Sequence, residues 1–135
     1  MNKAYDRLEW NFLKKVLQAF GFDQRWVKIT MECVKSASYR IKVNENFSKV
    51  INPQRGLGQG DPLSPYLFIL AVEVFTILME EAYNKGEITS FKAAPTAPSI
   101  THLLFADDCI VLAEARDDEL YQIIQILNQY TKASG

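Results

Sequence analysis

Two adjacent carboxylates, Asp107 and Asp108, stand in the stretch HLLFADDCIVLAEA (residues 102–115), between two apolar runs. Like charges side by side raise each other's pKa and resist burial. Neighbours in a strand point to opposite faces, so the pair needs a turn, a cation or plentiful water. Two readings fit these residues. One is a solvated hairpin tip. The other is a site for a hard divalent cation such as magnesium, which prefers carboxylate oxygens and uses few protein ligands. A calcium site would need six or more oxygens, and the local sequence supplies two carboxylates. His102 is the only histidine, which excludes a multi-histidine metal site and leaves it as a strand residue. Cys33 and Cys109 lie far apart in apolar surroundings, which suggests neither a disulfide framework nor a zinc cluster and fits a reducing, intracellular compartment.

With 135 residues, 48% hydrophobic and 23% charged, the chain is long enough for one domain with a core and too short for two. Its longest apolar candidate, PYLFILAVEVFTILM, carries Glu73 in the middle, so no membrane partner is expected. The net charge of −1 conceals a division. Residues 1–60 hold 11 Lys/Arg and 5 Asp/Glu, and residues 61–135 hold 4 and 11, giving +6 and −7. That asymmetry suits a basic surface for a polyanion beside an acidic metal-binding region, and it also arises by chance.

The elements that would position these residues are legible from periodicity. Leu8, Phe12, Leu13, Val16, Leu17 and Phe20 share a stripe, Asp6 and Glu9 have capping-box spacing, and Gly21 is a stop, which predicts a helix over 7–20. Asp23 can cap a second helix whose face carries Trp26, Ile29, Cys33 and Val34. The period then becomes two at Tyr39, Ile41 and Val43, and NEN offers a turn before Phe47–Val50, which predicts a β-hairpin. NPQRGLGQGDPLSP (residues 52–65) is a glycine- and proline-rich loop, and Ser64-Pro65 starts a helix over 65–84. That helix is apolar almost all round, so it is expected to be central, with Glu73 a buried carboxylate held by a partner. Residues 92–99 form a surface connection before the hairpin around Asp107 and Asp108. Asp117 is expected to cap a last helix, with Leu120, Ile123, Ile124 and Leu127 as its stripe and Gly135 as its stop. The order helix, helix, hairpin, helix, hairpin, helix gives an α+β fold with helices on one face of an antiparallel sheet.

Three blocks, KAYDRLEW (3–10), RGLGQGDPLSPYLFIL (55–70) and FADD (105–108), resemble in order and spacing the first three palm motifs of reverse transcriptases. The wording is most similar to LINE-type, non-LTR retrotransposons, particularly those of plants. FADD alone is weak, whereas the combination is specific and covers nearly the whole chain. The resemblance implies a polymerase palm-type, ferredoxin-like antiparallel sheet and RNA-directed DNA polymerase chemistry, a nucleotidyl transfer. Two magnesium ions about 3.5–4 Å apart, with manganese as a substitute, stabilise the attacking and leaving oxygens in such chemistry. It implies that Asp107 is the principal metal ligand and that Asp108 supports the same acidic site. Gln59 and Gly60 match the segment against the incoming nucleotide and templating base, Arg55 a phosphate contact, and Tyr5 the aromatic position that packs under the sugar. At Gly58 many relatives carry arginine. For Gly56, Pro62 and Pro65 loop geometry is the simpler reading. Template RNA, primer DNA and deoxynucleoside triphosphates are the implied partners, in the nucleus or cytoplasm.

The chain departs from the family pattern at its start. The family's first motif, D-x-x-K-A-F/Y-D, places its metal-binding aspartate three residues before the lysine, which is Lys3 here, so that third carboxylate falls one position before Met1. Asp6 matches the motif's second aspartate, which reads as a helix cap. The expectation is therefore a single partial palm domain over residues 1–135, lacking the first palm strand, fingers and thumb, and inactive alone. The alternative is a non-catalytic nucleic-acid-binding or interaction protein derived from a palm remnant.

Overall fold

Helix α4 (Ser64–Asn84) is the element around which the others pack. The computed structural model describes residues 4–105 and 108–135, so Lys3 and Asp107 lie outside the described residues. The remaining elements are α1 (Ala4–Arg7), α2 (Trp10–Ala19), α3 (Gln24–Ser36), β1 (Lys42–Val43), β2 (Asn46–Phe47), β3 (His102–Phe105), β4 (Asp108–Val111) and α5 (Asp117–Ser134). This is an α+β arrangement of helices and small antiparallel sheets. Among the described residues the strands form two separate two-stranded hairpins, β1–β2 and β3–β4, and the helices pack chiefly on one another.

The helix expected over 7–20 is divided. In a continuous helix the Glu9 amide would donate to the Tyr5 carbonyl. Here it donates to the Ser134 carbonyl (2.7 Å), and the Tyr5 carbonyl accepts from Leu57 N (2.8 Å). Both halves of the helical bond are diverted to distant segments, so α1 ends and α2 begins anew. Asp6 therefore sits exposed inside α1 rather than at a helix cap, and Glu9 occupies the N-cap of α2 without a side-chain hydrogen bond.

Asp23 does cap α3, accepting from Arg25 N (2.9 Å) and Trp26 N (3.2 Å). The buried face of α3 is Val27, Thr30, Met31 and Val34, one position round from the expected stripe. Trp26 lies outside that face, stacked on Phe22 with ring centroids 4.6 Å apart. The β1–β2 turn uses Asn44 (φ 46) and Glu45 (φ 67), the left-handed pair that a two-residue hairpin loop requires.

Two clusters share α4. The first joins Leu8, Leu13, Leu17, Val27 and Met31 to Leu67, Phe68, Ala71 and Val72. The second joins Phe75, Met79 and Ala82 to Ile88, Ile123, Ile126 and Tyr130. Each fully buried Leu or Val in these clusters contributes roughly 1.5–3 kcal/mol. Contrary to expectation, α4 is not buried all round. Tyr66, Ile69, Glu73 and Ile77 form an open stripe, and Glu73 is exposed rather than held in the core. The buried carboxylate is Glu119, in the first turn of α5.

Glu119 is fully covered, and its Oε1 accepts from Thr89 N (2.7 Å) and Thr89 Oγ1 (2.8 Å). Burial opposes its ionisation, but the hydrogen bonds from Thr89, the Glu114 backbone and the Arg116 charge together hold the carboxyl below its ordinary value. It ties α5 to the segment that follows α4. The N-cap of α5 is Arg116, so Asp117 is the first helical residue and not the cap. The helix buries Glu119, Ile123, Ile126 and Tyr130, while Leu120 and Ile124 of the expected stripe remain exposed.

Candidate nucleotide groove and acidic hairpin

Residues 56 and 57 are tied to residues 5–10 by two backbone hydrogen bonds and one from a side chain. Gly56 N donates to the Leu8 carbonyl (2.8 Å), Leu57 N to the Tyr5 carbonyl (2.8 Å), and Trp10 Nε1 to the Gly56 carbonyl (2.7 Å). These bonds fix the loop against α1 and leave its outer side open. The Asp61 carboxylate accepts from Leu63 N (2.8 Å), which shapes the entry into α4.

The outer side carries most of the residues singled out by the sequence. Tyr5 is half-buried and stacks on Phe68 of α4, with ring centroids 4.2 Å apart and planes 19° from parallel. Tyr5, Gln59 and Gly60 line one open groove of about 350 Å³, with Ala4, Gly58, Ser64 and Pro65. Gly60 takes a positive φ of 88, and a Cβ there would meet no atom within 4 Å, so its bare backbone faces open space. Gln59 and Gly58 also line a neighbouring groove of about 430 Å³ with Asp6, Tyr39, Pro53 and Arg55. Arg55 is exposed and donates to Glu9 Oε1 across 3.5 Å, a loose surface pair of small energetic weight. At Gly58 a Cβ would lie 2.8 Å from the Tyr39 hydroxyl, the movable end of a side chain, so an arginine there requires Tyr39 to shift.

The acidic hairpin is positioned by a different part of α4. Phe105 pairs with Asp108 and His102 with Val111. Asp108 is exposed at the start of β4, while Cys109 and Val111 turn toward the second cluster. His102 anchors β3: its Nε2 lies 3.1 Å from Thr76 Oγ1, its Nδ1 2.9 Å from Thr101 Oγ1, and its ring meets the Phe75 ring edge-on at 5.3 Å. Thus Tyr5, Gln59 and Gly60 come together, Arg55 lines the adjoining groove, and Asp108 is in the wall of neither. Among the described residues no three His, Cys, Asp or Glu side chains cluster as a ready metal site. Both cysteines are free thiols, and burial pushes the Cys109 thiol up. No described helix is long and apolar enough to cross a membrane.

The model of the reverse transcriptase (RNA-dependent DNA polymerase) family matches residues 1–135. This chain belongs to that family. Among curated relatives, it is 27% identical over 135 residues to a retrovirus-related Pol polyprotein from a type-1 retrotransposable element R2 of Popillia japonica, covering 100% of this chain and 21% of that protein. It is 30% identical over 112 residues to the transposon TX1 uncharacterized 149 kDa protein of Xenopus laevis, covering 83% of this chain and 8% of that protein. An uncharacterized mitochondrial protein of Arabidopsis thaliana is 51% identical over 59 residues, 44% of this chain and 48% of that protein. The chain thus spans half or less of these relatives.

Sequence reasoning missed two supports of the groove in this reverse transcriptase-family chain, Phe68 beneath Tyr5 and Trp10 holding the Gly56 carbonyl. Phe68 was visible only as one apolar residue among many, and Trp10 gave no signal, because its partner lies 46 residues away. His102 yields a measurable consequence. Burial pushes its pKa below the ordinary 6.5, against the opposing charges of Glu80 and Glu73. The unfolded chain therefore takes up a proton that the folded one refuses, so His102's contribution is full above pH 6.5 and declines as the pH falls through the folded value. Glu119, also depressed from an ordinary 4.5, adds a second loss at lower pH. Urea unfolding is expected to show stability falling between pH 7.5 and 5.5, with His102→Gln flattening that slope; an unchanged slope refutes the assignment.

Proposed function

We propose that this chain is the palm portion of an RNA-directed DNA polymerase of a non-LTR retroelement, with a ferredoxin-like palm arrangement over residues 1–135. The observation that carries the reading is the convergence of Tyr5 with Gln59 and Gly60 on one groove, although they lie on separate segments of the chain. An open groove with one aromatic wall, one amide and one bare backbone turn suits a nucleotide. The Tyr5 ring, held from behind by Phe68, offers an apolar face to a sugar. The Gln59 amide both donates and accepts, and Gly60 lets a polar ligand approach the main chain. Arg55, paired only loosely, is free to turn toward a phosphate. The partners in this reading are template RNA, primer DNA and deoxynucleoside triphosphates.

Asp107 and Asp108 are the carboxylates that would hold magnesium, or manganese in its place. The donor chemistry fits: Asp108 is an exposed hard-oxygen ligand, and no described salt bridge engages it. When bound, the cation would neutralise triphosphate oxygens and the repulsion between the two aspartates. The reading is tested with the 135-residue chain by manganese titration followed through paramagnetic broadening of amide resonances. Broadening is expected first around Asp108 and Cys109 and is lost in Asp107→Asn and Asp108→Asn. Broadening centred instead on Asp117–Glu119 or on Glu80 and Glu81 overturns it. Titration with a deoxynucleoside triphosphate is expected to shift the Gln59 and Gly60 amides, and Tyr5→Ala to weaken that response.

A further inference from the structure

The basic half of the chain has a feature that neither groove uses. In the β1–β2 hairpin, Lys42 stands opposite Phe47, so the two side chains project from the same face. Arg40 lies two residues before Lys42 and Lys49 two residues after Phe47, which brings both toward that face by the period of two. Ser48 N donates to the Ile41 carbonyl, and Tyr39 pairs with Ile51, so one extra residue lies in the second strand between these pairs. Such a bulge bends the second strand and increases the hairpin's twist.

All three cations are exposed, and no described carboxylate forms a salt bridge with any of them. Glu45, in the turn, is the hairpin's one acidic residue. Phe47 is 65% exposed, and among the described residues no aromatic ring stacks on it. A bare aromatic flanked by three unpaired cations matches what a single-stranded polynucleotide offers, a π-face on each base and a charge on each phosphate.

We propose that this hairpin face is a binding surface for single-stranded nucleic acid, with a base stacked on Phe47 and the backbone held by Arg40, Lys42 and Lys49. A simple polyanion would use the cations without the ring, whereas an anionic lipid surface would take both, so heparin and phosphatidylserine vesicles separate these occupants by experiment. The inference goes beyond the nucleotide groove and does not depend on the acidic hairpin.

Fluorescence anisotropy with the 135-residue chain and labelled single strands of about 12 nucleotides, one RNA and one DNA, tests it. Binding to either strand is expected, with the preference between them identifying the natural ligand. The Arg40→Gln, Lys42→Gln, Lys49→Gln variant is expected to flatten the plot of log affinity against log salt by about 2. Phe47→Ala is expected to weaken binding about tenfold at unchanged salt slope, and to leave heparin binding unaltered. In the unmodified chain, the oligonucleotide is expected to protect Lys42 and Lys49 from acetylation but not Lys14 or Lys28. An unchanged slope in the triple variant, equal loss of heparin binding in Phe47→Ala, absence of lysine protection, or preferential binding to phosphatidylserine vesicles overturns the proposal. A failure of manganese to bind at the aspartates leaves these readouts intact, so the two proposals fall separately.

Discussion

Replacing Phe75 with alanine is expected to lower the unfolding free energy by about 4 kcal/mol. Phe75 is fully buried in the middle of α4. Its ring meets Tyr130 of α5 at 5.7 Å and His102 of β3 at 5.3 Å, both in edge geometry. One side chain therefore joins α4 to the last helix and to the strand that leads into the acidic hairpin. Truncation removes the transfer energy of the ring and opens a void among side chains that are themselves pinned. Tyr130 is held by burial that pushes its hydroxyl up to about 12, and its hydroxyl donates to the Ala71 carbonyl (3.4 Å). His102 is held by two hydroxyls, so neither neighbour collapses easily into the space. Urea unfolding should show a lower midpoint at an unchanged slope, and Phe75→Leu should lose less than half as much. A loss under about 1 kcal/mol for Phe75→Ala would show that α4, α5 and β3 are not joined through this ring.

Gly56→Ala is expected to cost about 3 kcal/mol and to loosen the Tyr5–Gln59–Gly60 groove with it. Gly56 has φ 85, where an L side chain is strained, and a Cβ there would lie 2.7 Å from the Asp6 carbonyl oxygen and 2.9 Å from its carbon. The obstacle is backbone, so it cannot swing aside. Relief requires the loop to retreat from α1, which breaks the Gly56–Leu8, Leu57–Tyr5 and Trp10–Gly56 hydrogen bonds together. Gly60→Ala is the internal comparison. It shares the positive φ but meets no atom, so it should cost about 1 kcal/mol, from backbone strain alone. Equal losses at the two glycines would show that the contact with Asp6 has no energetic weight.

Local signals were read well where their causes are local. Asp23 caps α3 because its acceptor and donors lie within three residues, and Asn44-Glu45 turns the hairpin because the turn's own backbone demands it. Pro65 sits in the first turn of α4 as its type suggests, although Leu63 rather than Ser64 occupies the N-cap, and Gly86 follows the helix end at φ 74. Errors gathered where a distant segment decides. The break between α1 and α2 depends on Leu57 and Ser134, neither of which is visible from residues 4–9. The face of α5 is set by Thr89 receiving Glu119 and by Tyr130 packing against Phe75, so the apolar stripe beginning at Leu120 misled. Glu73 is exposed because the described elements cover only part of α4, which hydropathy along one helix does not reveal. Of the candidate site, residue identities came from the family resemblance. The shared groove of Tyr5, Gln59 and Gly60 came from the fold, and Asp107 lies outside the described residues.

The divided first helix also bears on the order of folding. α2 and α3 are neighbours in the chain and can pair early, since closing a short connection costs little entropy. The start of α2 is another matter: Glu9 waits for Ser134, and Leu8 and Trp10 wait for Gly56. Contacts between such remote segments form late and slow the overall rate. The Tyr5–Gln59–Gly60 groove is therefore expected to be among the last parts to assemble. During synthesis it would stay open until α5 had left the ribosome and docked.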